Sequence, residues 1–169
     1  MIVKNEEEML RKTLPQLAGC VDEIVLVDTG STDGTLEVAK ECGVRIFHFP
    51  WINDFSAARN ESLKPAQGEW IIWIDADEMI RKEDFEVLKD LLRKTEASAF
   101  TLQIHESQPD QFKSEGYYPR LKVFRNHRGY HFERAINEQV FDQQGRLLEG
   151  EDLSLPVYHW GNRGSKERL

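Results

Sequence analysis

Ten residues in the middle of the chain constrain it most: Glu69-Trp-Ile-Ile-Trp-Ile-Asp75-Ala-Asp77-Glu78. The run from Trp70 to Ile74 follows Gly68 and is entirely β-branched or aromatic, the pattern of a strand buried on both faces in the middle of a parallel sheet. Carboxylates then arrive abruptly at 75, 77 and 78. A strand alternates its faces, but where it ends the chain turns, so Asp75 and Asp77 can converge just beyond its carboxyl end. In open α/β sheets that edge is where ligands bind. Two neighbouring carboxylates repel unless a cation or a proton lies between them, and hard oxygen donors favour Mg²⁺ or Mn²⁺. A solvated acidic loop is the competing reading of the same residues.

The flanking sequence supports an α/β fold. Glu23 to Val27 reads as a second buried strand, and Val44 to Phe49 as a third that stops at Pro50. Met1 to Val3 is a short strand stub. Asn5 and Glu8 resemble a capping box for a helix carrying Met9, Leu10, Leu14 and Leu17, with Pro15 expected to kink or shorten it and Gly19 to close it in the left-handed region. A helix carrying Leu36, Val38 and Ala39 ends at Gly43. Ser56 is the expected cap of another, over Ala57, Ala58, Arg59, Asn60 and Leu63, and Phe85, Leu88, Leu91 and Leu92 mark a fourth. Successive βα units of this length imply a mostly parallel, right-handed sheet. Beyond residue 97 the period changes. Ala99–Ile104, Tyr117–Phe124, Glu138–Phe141 and Leu153–His159 read as strands without intervening helices, an antiparallel or mixed extension of the same sheet.

Bulk properties narrow the function. At 169 residues and 40% hydrophobic content, the whole of 1–169 reads as one domain with a proper core. A net charge of −8 disfavours nucleic acid or an anionic membrane surface as main partner. No apolar run approaches the roughly 20 residues of a membrane span, and the N-terminus lacks a signal-peptide layout. Cys20 and Cys42 have neither zinc nor disulfide-framework spacing. A reducing cytoplasm fits.

Asp28-Thr-Gly-Ser-Thr-Asp33-Gly34 stands at the carboxyl end of the second strand and opens a helix whose free amides favour negative charge. It is neither a Walker loop nor Gly-x-Gly-x-x-Gly. Asp28 is suited to accept a base N–H or a ribose hydroxyl. A capped turn with nothing bound, Ser31 or Asp33 being the cap, reads the same residues.

Four ordered stretches together resemble the family 2 glycosyltransferases of the GT-A fold, nearest to a bacterial branch often fused to tetratricopeptide repeats. They are Met1-Ile-Val-Lys-Asn-Glu6, Val27-Asp-Thr-Gly-Ser-Thr-Asp-Gly-Thr35, Asp54-Phe-Ser-Ala-Ala-Arg-Asn60 and Trp73-Ile-Asp-Ala-Asp-Glu78. Arg120-Leu-Lys-Val-Phe-Arg-Asn126, Ile136-Asn-Glu138 and His159-Trp-Gly161 are similar to later landmarks of that family. The resemblance implies a GT-A-like fold and a metal-dependent inverting transferase, using Mn²⁺ or Mg²⁺ and a nucleotide-diphosphate sugar, most often UDP-linked. It places Glu6 and Asp28 at the base and ribose, with Val3 and Asn5 beside them. Arg59 would lie near the nucleotide, Asp75 and Ala76 near ribose or metal, Asp77 on the metal, and His159 as a further metal or diphosphate contact. Glu138 is the implied base toward the acceptor hydroxyl, with Glu133 and Asp152 as competitors, although Asn137 departs from the family's His. The first strand is shorter than usual and the chain stops soon after Gly161, as in a trimmed domain or a compact member.

Arg120, Lys122, Arg125 and Arg134 are candidates for charge near the diphosphate or for a solvated strand face. Trp51, Tyr117, Tyr118 and Trp160 either stack on sugar rings or pack in the core. Two other readings compete: a non-catalytic nucleotide- or sugar-binding module of the same fold, and a sugar nucleotidyltransferase. The latter expects a glycine-rich basic loop after the first strand, where this chain has Asn5-Glu6-Glu7-Glu8.

Overall fold

The computed structural model describes residues 1–108, 112, 114 and 116–161. The first half alternates strands and helices: β1 (Ile2–Val3), α1 (Glu7–Ala18), β2 (Val25–Asp28), α2 (Thr35–Glu41), β3 (Arg45–His48), α3 (Phe55–Leu63) and β4 (Trp70–Ile72). Next come β5 (Glu78–Met79), α4 (Lys82–Leu92), β6 (Ala99–Glu106), β7 (Tyr118–Arg125), β8 (His131–Glu133), β9 (Gln139–Phe141) and β10 (Glu151–His159). This is the mixed α/β architecture expected. Strands β1, β2 and β3 form a parallel sheet in that order, and a second sheet runs β4-β7-β6-β10-β5. A β8–β9 hairpin stands apart.

The central apolar run behaves differently from its sequence pattern. Trp70–Ile72 is only half-buried and lies at the edge of the second sheet, antiparallel to β7 in the register Trp70↔Arg125. Its aromatics are covered by side chains rather than by a neighbouring strand on each side: Trp70 packs against Phe100, and the Arg125 guanidinium lies 4.4 Å over its ring. Downstream, β10 pairs parallel with β6 while β7 pairs antiparallel with it, so these strands are mixed as expected, but they join β4 in a second sheet instead of extending the parallel sheet β1-β2-β3. Gly150 leads into β10 so closely against β6 that a Cβ there would lie 2.8 Å from the Phe100 carbonyl carbon.

Several local expectations are corrected. Asn5 does not cap α1: it stands at φ +54°, and its side-chain oxygen accepts the Thr32 N–H at 2.7 Å. Pro15 does not shorten α1, which continues through it to Ala18 with Pro15 exposed. Gly19 is right-handed, at φ −83°. Asp54, not Ser56, caps α3 by accepting the Ala57 N–H at 3.0 Å. Glu78, for which the sequence suggests no role, turns inward to Lys122.

Three apolar clusters fill the interior of the described residues, one of them Trp73, Ala99, Phe124, Phe132 and Val140 beneath the β8–β9 hairpin. A second joins Val3, Leu10, Leu14, Leu26, Val38 and Ala76 around the parallel sheet. The third gathers Met79, Phe85, Leu88, Phe100, Val123, Val157 and Trp160 between α4 and the second sheet. Among them lies an ion pair, Lys122 Nζ to Glu78 Oε1 at 2.7 Å, whose side chains are 1% and 2% exposed. Breaking such a pair by removing one partner strands a charge away from water. Lys122→Met is therefore expected to cost about 3–5 kcal/mol in urea unfolding, and Lys122→Met/Glu78→Gln to recover most of that. Equal losses in the single and double variants would assign the effect to packing.

Candidate active site

Three backbone anchors hold the acidic turn after β4. Thr13 Oγ1 of α1 donates to the Ala76 carbonyl at 3.0 Å. The Trp160 N–H donates to the Asp77 carbonyl at 2.7 Å. Glu78 Oε2 accepts the Asp75 N–H at 2.8 Å, while Lys122 neutralises the Glu78 carboxylate from behind. Two of these anchors come from α1 and the residue after β10, and the third is local to the turn but steadied by Lys122 of β7, so the tertiary fold and the turn's own sequence fix its shape together. Ala76 packs in the same cluster as Val3 and Leu26, which brings the turn beside the carboxyl ends of β1 and β2.

Arg59 organises the next layer. It is 4% exposed, projects from α3, donates Nη2–H to Asp75 Oδ1 at 2.7 Å and donates Nε–H to Glu138 Oε1 at 2.6 Å. Its guanidinium lies 4.4 Å from the centre of the Trp73 ring, which also carries Arg120 at 4.5 Å and Lys122 at 3.8 Å. Burial alone would raise the Asp75 carboxyl, but Arg59, with Lys122 beyond it, outweighs that and holds it well below the usual carboxylate range. Burial likewise opposes the charge on Arg59, and Asp75 and Glu138 overcome it. Glu138 is 7% exposed, and both of its cation contacts, Arg59 and Arg120 at 3.6 Å, fall on Oε1. Asn137 stands at φ +56°, a left-handed position that asparagine tolerates better than most side chains, which gives its presence before Glu138 a backbone reason.

Asp77 faces His159 from the end of β10. Their Oδ2 and Nε2 atoms are 3.2 Å apart, and the side chains are 30% and 29% exposed. That separation is about the spacing of adjacent ligands around one octahedral ion with bonds of about 2.1 Å. A carboxylate and an imidazole suit Mn²⁺, and ions of this kind are commonly completed by substrate phosphates. Among the described residues no cluster of three or more His, Cys, Asp and Glu is arranged for a metal; the ligand-type pair that meets here is Asp77 and His159. Asp75, also named for the metal, commits Oδ1 to Arg59.

Val3, Asn5, Glu6 and Asp28 form a second group. Val3 pairs with Asp28 across β1 and β2, and the Val3 carbonyl accepts from Thr29. The Asn5 N–H donates to Ser31 Oγ and the Glu6 N–H to Thr35 Oγ1 at 2.8 Å, which ties this strand end to the turn before α2 and to the first residue of α2. The Asp28 carboxylate accepts the Ser31 and Gly30 amides at 3.0 and 3.2 Å, with the His48 ring 3.5 Å away. Of the basic candidates, Lys122 is buried on Glu78, Arg125 is tied to Glu69 at the far end of β7, and Arg134 reaches Gln139; Arg120 stays beside Glu138, 31% exposed. Trp160 is fully buried, Trp51 packs edge-on against Phe55, and Tyr117 and Tyr118 are exposed. Glu133 pairs with His131 at 2.9 Å, and Asp152 is exposed on β10. A mainly apolar cavity of 370 Å³, lined by Ile24, Trp70, Ile72, Phe85 and Leu92 among others, lies near the amino ends of β2 and β4, away from these carboxylates.

The described helices include none long and apolar enough to cross a membrane. The family model for glycosyl transferase family 2 matches residues 1–140. A TPR repeat-containing protein of Synechococcus elongatus is 41% identical over the whole chain, which covers 45% of that protein. The SPbeta prophage-derived glycosyltransferase SunS of Bacillus subtilis is 28% identical over the whole chain, which covers 40% of it. The chain thus spans less than half the length of these relatives. Among solved structures, S. aureus TarS superposes with a TM-score of 0.68 at 19% identity, over 94% of this chain and 35% of TarS. Glucosyl-3-phosphoglycerate synthase from Mycobacterium tuberculosis, in complex with Mn²⁺, UDP and glucosyl-3-phosphoglycerate, gives 0.53 at 22%, over 62% of this chain and 42% of the synthase. At these identities the likeness is one of fold.

The His159 contacts generate a pH prediction. The hydrogen bond to Asp77, opposed by partial burial and reinforced by Glu106, pushes the imidazole from 6.5 up to about 9. A group raised on folding favours the folded state fully below its unfolded value and loses that contribution as pH rises through the folded one. In metal-free buffer, the stability advantage of the native chain over His159→Gln is expected to be about 1–2 kcal/mol near pH 6 and to vanish by about pH 10. Denaturant melts of both proteins across that range check it.

Proposed function

This chain belongs to glycosyl transferase family 2, and from that premise we propose that it is the catalytic core of a metal-assisted, inverting transferase acting on a UDP-linked sugar. The observation that carries the reading is the meeting of Arg59, Asp75 and Glu138 beside the Asp77–His159 pair. Support for the donor comes from fold relatives crystallised with UDP, UDP-GlcNAc, or UDP and Mn²⁺.

In this reading the strand end at Val3, Asn5 and Glu6 and the turn after Asp28 frame the base and ribose, and Ala76 and Asp75 close that pocket. Asp77 and His159 would hold a divalent cation. Bound there, the cation supplies positive charge against the departing diphosphate. Arg120 is the exposed guanidinium available to add to it. With Oε1 of Glu138 held by Arg59, Oε2 faces the acceptor and takes the proton of its hydroxyl. The acceptor oxygen bonds to the anomeric carbon as the bond from that carbon to the β-phosphate oxygen breaks, so configuration inverts and UDP leaves with the electron pair. Arg59 works as a positioning residue: its fork orients two carboxylates at once, which a lysine cannot reproduce. A reducing, cytoplasmic setting remains the proposed location.

Two substitutions test the assignment. Asp77→Asn is expected to weaken Mn²⁺-dependent UDP binding at least 10-fold by calorimetry without altering the fold, because the side chain is a rim carboxylate. Undiminished affinity would remove the metal assignment. Glu138→Gln is expected to lower turnover about 10²–10⁴-fold with little change in UDP affinity. If the parent protein binds UDP with Mn²⁺ yet releases no UDP from any donor, the non-catalytic module is the better description.

A further inference from the structure

Glu106 was not among the residues singled out by their sequence motifs, yet it completes the arrangement around His159. It ends β6, and His159 ends β10. The two strands run parallel, with His159 and Glu106 as register partners, so both side chains leave neighbouring strands side by side. His159 Nδ1 lies 3.0 Å from both Glu106 oxygens, while Nε2 faces Asp77. The carboxylate is itself steadied by the Tyr118 hydroxyl, 3.4 Å from Oε1. On the other side the ring is boxed in by the Gly161 backbone: a Cβ at that position would come within 2.9 Å of His159 Cε1. A larger residue there would require the imidazole to shift.

We infer that Glu106 is a positioning residue that holds the proton of His159 on Nδ1 and so directs the Nε2 lone pair, together with Asp77, at the divalent cation. The inference rests on the metal-assisted reading above. A ligating imidazole characteristically donates its other N–H to a carboxylate, which fixes both ring orientation and tautomer. Glu106 cannot itself share the cation with Asp77 through this geometry, because the imidazole separates them. At 52% side-chain exposure it is also not a core residue, so its removal can be tested without dismantling the fold.

The experiment measures Mn²⁺ binding by the full chain in the presence of UDP, using calorimetry and the free-Mn²⁺ EPR signal. Glu106→Ala, Glu106→Gln, His159→Gln and Asp77→Asn are compared with the parent. Expected are a 10–100-fold loss of Mn²⁺ affinity in Glu106→Ala and a smaller loss in Glu106→Gln, which keeps a hydrogen-bond acceptor. Nitrogen-15 NMR of the His159 ring in the metal-free protein, above the raised pKa of about 9 so that the ring is neutral, should place its one proton on Nδ1 in the parent and lose that preference in Glu106→Ala. If His159→Gln and Asp77→Asn weaken Mn²⁺ binding but neither Glu106 variant does, the positioning role is overturned and the metal site stands. An Nδ1 proton unmoved in Glu106→Ala overturns it as well. If Asp77→Asn and His159→Gln bind like the parent, the metal reading fails and this inference with it. Should Glu106→Ala not fold, Glu106→Gln alone decides the outcome by the same criteria.

Discussion

The arrangement depends on one guanidinium. Arg59 is buried, and a buried charge is tolerated only where partners replace the water it has lost. It is served by two carboxylates from opposite parts of the chain, Asp75 at the end of β4 and Glu138 before β9, and by the faces of Trp73 and Phe132. Each partner restricts the others. Asp75 cannot move without stranding Arg59, and Arg59 cannot move without releasing Glu138. The parallel half and the β8–β9 hairpin are thereby locked to the acidic turn. A hydrogen bond from the Asn60 side chain to the Phe132 carbonyl, at 2.9 Å, reinforces the same junction.

Behind this layer the Lys122–Glu78 pair does the opposite of what surface charges do. It is removed from solvent, and the Glu78 carboxylate is aimed at the Asp75 amide. An apolar pair of similar volume would pack as well but would leave that amide without an acceptor. The polar interior is thus explained by the need to hold a turn of defined shape rather than by stability. Left-handed non-glycine residues occur in the same neighbourhood: Asn5 precedes Glu6, and Asn137 precedes Glu138. Backbone strain of this kind persists where surrounding contacts over-determine the chain, and it concentrates at functional sites.

Much of the first half was legible because its signals are local. Strand-turn-helix periodicity, the polar turn after Asp28 and the abrupt carboxylates after Ile74 each report on a few consecutive residues. The errors share one cause. The run Trp70–Ile74 shows that a strand is shielded but not by what, so an edge strand covered by Phe100 and Arg125 reads like a central one. Pro15 and Gly19 were read by propensity alone, whereas α1 continues through Pro15 to Ala18 and Gly19 stays right-handed. The short strands β5 and β8 carry too few residues to register a period.

The sequence by itself determined the fold class, the family resemblance and the identity of Arg59, Asp75, Asp77, Glu138 and His159 as candidates, since residue type and order along the chain are enough for that. Only the tertiary structure decided who touches whom. It paired Arg59 with partners 16 and 79 residues away, took Lys122 and Glu78 out of the solvated set, and set Glu106 behind His159. These contacts cross between strands whose pairing depends on how distant segments bury their apolar faces together, and a linear pattern records each face without naming its partner.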